Sequence, residues 1–258
     1  MIEYGTAFRN LLQGFLGKKQ ILQNGVFRIY SGTAPSSPDD AATGTLLCQL
    51  TLNGGAWTEE TLSSGTVTLS GSGGQVDSLT IDSVELLGSA VAYLTSLTVT
   101  AALVASAINA NISYPRYKAS SSGAVITIKA LPGSGTTPNA LVVACTVSGG
   151  TLAATPANMA GGAAPINGLT FEEVAAGVLT KSGVWSGTVL ATGTAGYWRM
   201  TSSTADDDGA DATPWTKPRM QGTCGTNNAD YLMSSTSLTI GLPHVLETWV
   251  ETLAEDEA

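Results

Sequence analysis

Short apolar stretches separated by turn residues recur along most of this chain, and they constrain its fold more than any other feature. Residues 26–30, 45–52, 184–191 and 196–201 carry β-branched or aromatic side chains in patterns typical of strands. Thirty glycines, with many serines and threonines, supply turns between them. Only 12% of the residues are charged, about half the share of an average soluble protein. The pattern predicts a mainly β protein with some α elements.

Two stretches depart from this pattern and predict helices. Near the N-terminus, apolar side chains recur at helical spacing at Phe8, Leu11, Leu12, Phe15 and Leu16. Thr6 is a candidate cap for this helix, and Gly17 is a plausible stop. A second helix is predicted over residues 99–112, with Thr98 or Thr100 as its cap and Pro115 beyond its end.

The composition changes between residues 56 and 165, which hold five acidic and three basic groups in 110 positions. Strand and helix patterns there predict a compact ββαββ-like domain, followed by a tail of small residues from 149 to 165. The flanking residues 1–55 and 166–258 hold too few strands for a sandwich separately, but together they hold about eight strands and one helix. We therefore predict an antiparallel β-sandwich host domain, residues 1–55 plus 166–258, with residues 56–165 inserted into one of its loops.

Charge and hydropathy argue against two kinds of partner, nucleic acids and membranes. The net charge of −9 argues against nucleic-acid binding, which depends on neutralising phosphates. No apolar run approaches the ~20 residues that span a bilayer, so no membrane partner is expected. The first four residues lack the basic region of a signal peptide, which predicts synthesis and folding in a cytoplasm.

The three cysteines show no metal-binding spacing, and no cofactor is expected. Cys48, Cys145 and Cys224 are best interpreted as buried or half-buried thiols. A Cys48–Cys224 disulfide is the one pairing we consider, because both residues fall in the host domain.

A search for catalytic residues finds no convincing set. His244 is the only histidine, no GxSxG motif is present, and a histidine at a strand end is the favoured interpretation. Glu59 with Glu60, or Glu172 with Glu173, could supply paired carboxylates. Adjacent residues on a strand point to opposite faces, however, so solvated edges are favoured over a catalytic dyad. We predict no catalytic residue and no enzymatic activity.

A cluster of aspartates, Asp206, Asp207, Asp208 and Asp211, raises the question of a calcium site. It lacks the alternating order and the distal glutamate of known calcium loops. We favour an exposed turn and predict no metal; Asp206, Asp208 and Asp211 are the candidate ligands of the alternative.

The interface candidates are apolar residues at two kinds of position. Phe8, Leu12 and Phe15 form a wide helical stripe that either covers the host sandwich, which we favour, or docks on a neighbouring subunit. Trp57 and Trp215 lie in predicted loops and are candidates for exposed contacts.

Aromatic residues offer one more interpretation, a platform for stacking sugars, formed by Tyr30, Trp57, Trp185, Tyr197, Trp198 and Trp215. Trp185 and Trp198 fall in strand patterns, where anchoring a core is the favoured role.

Several motifs resemble those of known proteins. The segments FRIYSGTAP (27–35) and DDAATGTLL (39–47) resemble the opening of small virion proteins of tailed phages. Their usual continuation is similar to GVWSGT (183–188), GTAGYWRM (193–200), MQGTCG (220–225) and ADYLM (229–233). Residues 75–145 look like an accessory module that recurs in phage tail and structural proteins.

The resemblance implies a place in a virion and no particular chemistry. Its implied function is that of a structural subunit, ring-forming in the neck, collar or tail, made and assembled in the cytoplasm of a bacterial host. The implied partners are copies of itself and other virion proteins of the portal or connector, tail or capsid. The alternative is a capsid decoration protein, or a module displayed on the virion that binds a receptor or a cell-surface glycan.

Overall fold

The computed structural model describes residues 2–14, 16–211 and 217–252. The chain divides into two compact units, which we call the host unit (1–60 and 165–258) and the inserted unit (61–164). The insert expected from the sequence was 56–165, so the boundaries differ by five residues at one end and one at the other. Both units consist mainly of antiparallel strands, which confirms the mainly β prediction.

The helices and strands lie in three stretches of the chain. The N-terminal stretch of the host unit contains β1 (Glu3–Tyr4), α1 (Thr6–Gly14), α2 (Lys18–Leu22), β2 (Phe27–Ser31) and β3 (Leu46–Leu52). The inserted unit contains β4 (Ser64–Ser70), β5 (Gln75–Ile81), β6 (Val84–Glu85), β7 (Val91–Ala92), α3 (Leu97–Ala110), β8 (Tyr117–Ser122), β9 (Val125–Ala130), β10 (Val143–Ser148) and β11 (Ala153–Ala160). The C-terminal stretch of the host unit contains β12 (Thr170–Phe171), β13 (Val178–Ser182), β14 (Trp185–Thr188), β15 (Gly193–Thr201), β16 (Arg219–Gly225), β17 (Tyr231–Leu232), β18 (Ser237–Leu238), β19 (Pro243–Leu246) and β20 (Val250–Thr252).

The N-terminal segment forms two helices where one was predicted. Gly17, the predicted stop, directly precedes α2. Thr6 is the first residue of α1, and its backbone N–H and its hydroxyl are both hydrogen-bond donors to Asp39. Its backbone N–H donates to Asp39 Oδ1 at 2.8 Å, and its hydroxyl donates to Asp39 Oδ2 at 2.6 Å. The carboxylate of Asp39 therefore stabilises the start of α1, where acidic groups are favoured.

The host unit is organised around one long sheet with the strand order β1-β16-β15-β2-β3-β14-β19, all antiparallel. Two short strands join it at the side: β17 pairs with β16, and β18 with β15. On one face, Trp198 lies opposite both Ile29 and Gly222, and its ring stacks on Phe27 with centroids 5.0 Å apart. This face carries the core, as the alternation of β2 and β15 predicts.

A smaller sheet with the order β12-β13-β20 completes the host unit. It meets the long sheet through an aromatic cluster of Phe171, Trp185 and Trp249, with ring centroids 5.1 to 6.0 Å apart. Trp185 is fully buried and Trp198 is 1% exposed, so the prediction that both anchor the core is confirmed. Such pairs add stability beyond the area that they bury.

The inserted unit contains two four-stranded sheets and one helix, more strands than the ββαββ pattern implies. One sheet has the order β10-β5-β6 with β7 beside β5, and the other has the order β11-β4-β9-β8. Side chains from both sheets and from α3 share one hydrophobic core. The cap of α3 is Ser96, whose hydroxyl accepts from Val99 N at 3.2 Å, and neither Thr98 nor Thr100 has this role.

Eight residues of the small-residue tail predicted from 149 to 165 form a strand, β11. β11 pairs with β4, with Ala154 opposite Leu69 and Pro156 opposite Val67. Its outer position in the sheet explains why a proline is tolerated, because an edge strand has backbone groups that face no partner. Met159 at its end is 1% exposed and joins the core of the inserted unit.

Candidate functional site

The second face of the long sheet carries a row of polar side chains across five adjacent strands. In register order these are Glu3, Gln221, Arg199, Arg28 and Gln49, each opposite the next. Gln221 donates to Glu3 at 2.8 Å, Arg199 donates to Gln221 at 3.0 Å, and Arg28 donates to Gln49 at 3.0 Å. Both central arginines are buried, so this face needs further hydrogen-bond acceptors.

Two loops of the host unit, one after β2 and one after β15, supply these acceptors. Arg219 donates to both carboxylate oxygens of Asp206, with Nε 2.6 Å from Oδ2, and to the carbonyl of Pro38 at 3.2 Å. Arg28 Nη1 donates to Asp208 Oδ1 and to the carbonyl of Asp206, each at 2.9 Å. The arginines therefore fix both loops over the polar face.

These contacts engage two of the three candidate ligands of the calcium alternative, Asp206 and Asp208 but not Asp211. Arginines neutralise the first two carboxylates, and Asp206 is 8% exposed, which also corrects the expectation of a wholly exposed turn. The backbone N–H of Asp211 donates to the carbonyl of Asp39 at 2.7 Å. Within the described part of the chain, no three His, Cys, Asp or Glu side chains are grouped to hold a metal ion.

Arg199 is the least compensated charge on this face. Its side chain is fully buried, and its Nε and Nη1 have no hydrogen-bond partner among the residues that the structure describes. Burial lowers its pKa, and the neighbouring Arg219 lowers it further. Because each unpaired buried donor carries a desolvation cost, Arg199 is expected to contribute less to stability than Arg219 does.

A groove of about 790 Å³ lies on the host unit and is lined mainly by residues 229–250. It contains His244, which is half-buried on β19, with Nε2 3.0 Å from Tyr231 Oη. Burial lowers the pKa of His244 and raises the pKa of Tyr231. Both groups are therefore neutral at pH 7, and their hydrogen bond is one between uncharged partners.

The two glutamate pairs have different environments. Glu60 is 4% exposed and accepts a hydrogen bond from the hydroxyl of Ser203, so a solvated edge is wrong for this residue. Glu59 is exposed, so the two members of that pair do not share a site. Glu173 is exposed and pairs with Lys19 at 2.8 Å, which lowers the pKa of Glu173.

All three cysteines are free, so the disulfide considered between Cys48 and Cys224 is not formed. Burial raises the pKa of Cys48 and of Cys145 to about 11, and that of Cys224 to about 12. The thiols are thus protonated at neutral pH, the form that is neither nucleophile nor metal ligand.

The helical stripe proposed as an interface lies partly inside the host unit. Phe8 is fully buried and stacks on Tyr4 with ring centroids 5.0 Å apart, so it is not available to a neighbouring subunit. Leu12 is partly exposed, and Phe15 lies outside the described residues.

The aromatic residues considered for sugar stacking are mostly packed within the host unit. Trp57 is half-buried and donates its indole N–H to the carbonyl of Asn24 at 3.0 Å. Tyr30 and Tyr197 are buried and stack on each other with centroids 4.9 Å apart. Trp215 lies outside the described residues.

Five of the ten large exposed apolar side chains in the described part of the host unit lie on β19, the last strand of the long sheet, or on segments next to it. We call this the edge patch; its members, 38–62% exposed, are Leu190, Leu232, Ile240, Leu242 and Val245. Hydrogen bonds of 2.9 Å join Val189 to Gly241 and Leu242, and Tyr231, next to Leu232, contacts His244 on β19. Among the described residues, the only strand paired with β19 is β14. Large exposed apolar patches mark sites of contact with proteins or membranes, or grooves that bind ligands.

Comparisons with protein-family models, with curated proteins and with solved structures each find no match. None of the helices in the described residues is long and apolar enough to cross a membrane.

Proposed function

We propose that this chain is a structural, non-enzymatic subunit of a tailed-phage particle, ring-forming in the neck, collar or tail. Its partners are further copies of the chain and other virion proteins, and it acts by subunit assembly. The motifs at 27–47 and 183–233 that resemble small virion proteins support the virion setting. The edge patch supports the assembly role and is the observation that carries the proposal.

The chemistry of the edge patch favours contact through side chains. β19 has only four residues and begins with Pro243, two features that limit strand-to-strand pairing at an edge. Association becomes more favourable when a neighbouring subunit removes the apolar side chains beside β19 from water. Heterologous contacts of this kind close into a ring when the rotation between subunits permits.

A substitution in the edge patch tests the proposal. Leu242→Lys places a charge at a 57%-exposed position, so it weakens assembly while the fold is retained. Val174→Lys is the matched control, because Val174 is 46% exposed on the host unit but lies outside the patch. Light scattering after size exclusion should find rings for the parent chain and for Val174→Lys, and smaller species for Leu242→Lys. Equal masses for all three proteins contradict the proposed contact.

A further inference from the structure

The basic residues of the inserted unit lie together on two neighbouring strands. Residues 61–164 contain no lysine or arginine other than Arg116, Lys118 and Lys129. Lys118 on β8 is directly opposite Lys129 on β9, and Arg116 comes two residues before Lys118. We call these three residues the basic site. All the positively charged side chains of the unit are thus concentrated at one end of the β8–β9 pair.

The two lysines point away from the core. Their neighbours along the strands, Tyr117, Ile128 and Ala130, are at most 3% exposed and belong to the hydrophobic core of the unit. Because side chains alternate along a strand, Lys118 and Lys129 lie on the opposite, outward face of the sheet. Lys129 is exposed, so a ligand in solvent can reach the pair.

The basic site brings like charges close to one another. Like charges directly opposite each other on neighbouring strands are destabilising. Burial, and then the like charge of Arg116, lower the pKa of Lys118 to about 8, so this ammonium is still mostly charged at pH 7. Arg116 Nη2 donates to the carbonyl of Asn109 at 3.4 Å, which holds the guanidinium at the end of α3. An anion bound to the site lowers the repulsion, so the site favours a negatively charged ligand.

The acidic residues of the unit belong to its other sheet. Asp77, Asp82 and Glu85 lie on β5 or β6 or between them. Asp77 accepts from the hydroxyl of Ser148 at 2.9 Å, and Glu85 accepts from the backbone N–H of Leu87 at 2.8 Å. Asp77 and Glu85 are therefore bound within their own sheet and do not neutralise the basic site.

We propose that the basic site binds an anionic group of a polysaccharide, and that the sheet face beside it contacts the neighbouring sugar units. The side chains of that face support this choice of ligand. Ser64 on β4 is opposite Lys129. Ser120, Thr127 and Thr66 form the next row across the same three strands. Hydroxyl side chains both donate to and accept from the hydroxyls of a sugar.

The distribution of charge favours a polysaccharide over a nucleic acid. Duplex DNA carries one negative charge per about 1.7 Å of its axis, and proteins that bind it neutralise several phosphates in a row. The basic site is a single cluster, and the rows beyond it carry hydroxyls and Val125 without further positive charge. The net charge of −9 also repels a densely charged polymer. A polymer with sparse anionic groups and many hydroxyls between them matches this surface.

Two dextrans test this preference with the full chain. Carboxymethyl dextran and unsubstituted dextran share one backbone and differ in the carboxylates that the first carries. Isothermal titration calorimetry should give a dissociation constant at least about tenfold lower for carboxymethyl dextran, because hydrogen bonds between charged groups are the stronger ones. Equal constants for the two polymers overturn the proposal. Tighter binding of a DNA duplex than of carboxymethyl dextran also overturns it.

Substitutions at the exposed lysine locate the binding. Lys129→Glu should raise the dissociation constant for carboxymethyl dextran at least about tenfold, whereas Lys129→Arg keeps the charge and should stay within about threefold of the parent chain. Arg9→Glu is the control, because it makes the same change of net charge at an exposed position of α1 in the host unit, and its constant should also stay within about threefold. A Lys129→Glu chain that binds as tightly as the parent overturns the proposal.

The basic site does not rest on the proposed assembly through the edge patch. Lys129 is exposed on the inserted unit, so its replacement leaves the fold in place, and Lys129→Glu should form the same oligomers as the parent chain. Loss of rings in Leu242→Lys and loss of polysaccharide binding in Lys129→Glu are separate results. Failure of either proposal is therefore recognised independently of the other.

Discussion

Arg219 and Asp206 form a two-pronged ion pair that is almost fully buried, with side-chain exposures of 0% and 2%. The pair joins β16 to the loop after β15, and the same guanidinium also reaches the carbonyl of Pro38 in the loop after β2. The side chain of Arg219 thus contacts both loops and links them to the sheet.

Removal of one member of this pair should be costly. Asp206→Ala leaves the guanidinium of Arg219 buried without its carboxylate, so we expect a loss of about 3–5 kcal/mol in the free energy of unfolding. Asp207→Ala is the control, because Asp207 is exposed and bound to Lys217 at the surface; its effect should stay within about 0.5 kcal/mol. Urea unfolding followed by tryptophan fluorescence measures both. A similar small effect for both variants contradicts the structural role of the pair.

The two buried arginines on neighbouring strands should respond differently to replacement. Arg199→Met removes a charge with a like-charged neighbour and with two donors that find no partner in the described part of the chain. We expect the free energy of unfolding to fall by less than half as much as in Arg219→Met, which leaves Asp206 without its partner. Equal losses in the two variants would mean that the charge of Arg199 is as well compensated as that of Arg219.

The single histidine predicts a defined pH dependence. Burial lowers the pKa of His244, so the unfolded chain binds its proton first as the pH falls. The folded chain therefore keeps its full stability well above the unfolded histidine pKa of about 6.5. As the pH falls below that value, protonation of His244 in the unfolded chain lowers the free energy of unfolding. The urea midpoint should fall between pH 7.5 and 5.5, and His244→Gln should remove that part of the slope. An NMR titration that gives His244 a pKa above 6.5 contradicts this prediction.

The thiols should all be free and protonated. Alkylation of the unfolded chain without reductant should add three labels, and the folded chain should react slowly at pH 7 because burial raises each thiol pKa. Mass spectrometry counts the labels. A count of one label on the unfolded chain reveals a disulfide.

The features that could be predicted from the sequence are those that depend on local pattern. Alternation in β15 identified Trp198 as a core residue, and the helical period identified both α1 and α3. β11 was missed because its residues, AATPANMA, lack β-branched alternation; pairing with β4 makes it a strand. Local pattern reports what a segment prefers but not which strand it will meet.

The polar face was missed for a related reason. Asp208 pairs with Arg28, 180 residues away in sequence, and local sequence around the aspartates predicts only an exposed turn. Charge counts along the chain do not reveal that a carboxylate is buried. The register of β2, β15 and β16 provides that information by placing Arg28, Arg199 and Gln221 on one face.

Electron microscopy of the purified full chain tests the assembly role most directly. The proposal predicts closed rings in which the edge patch beside β19 lies at each contact between subunits, and Leu242→Lys should abolish them. A chain that stays monomeric at every concentration, or rings whose contacts leave the edge patch in solvent, contradicts it.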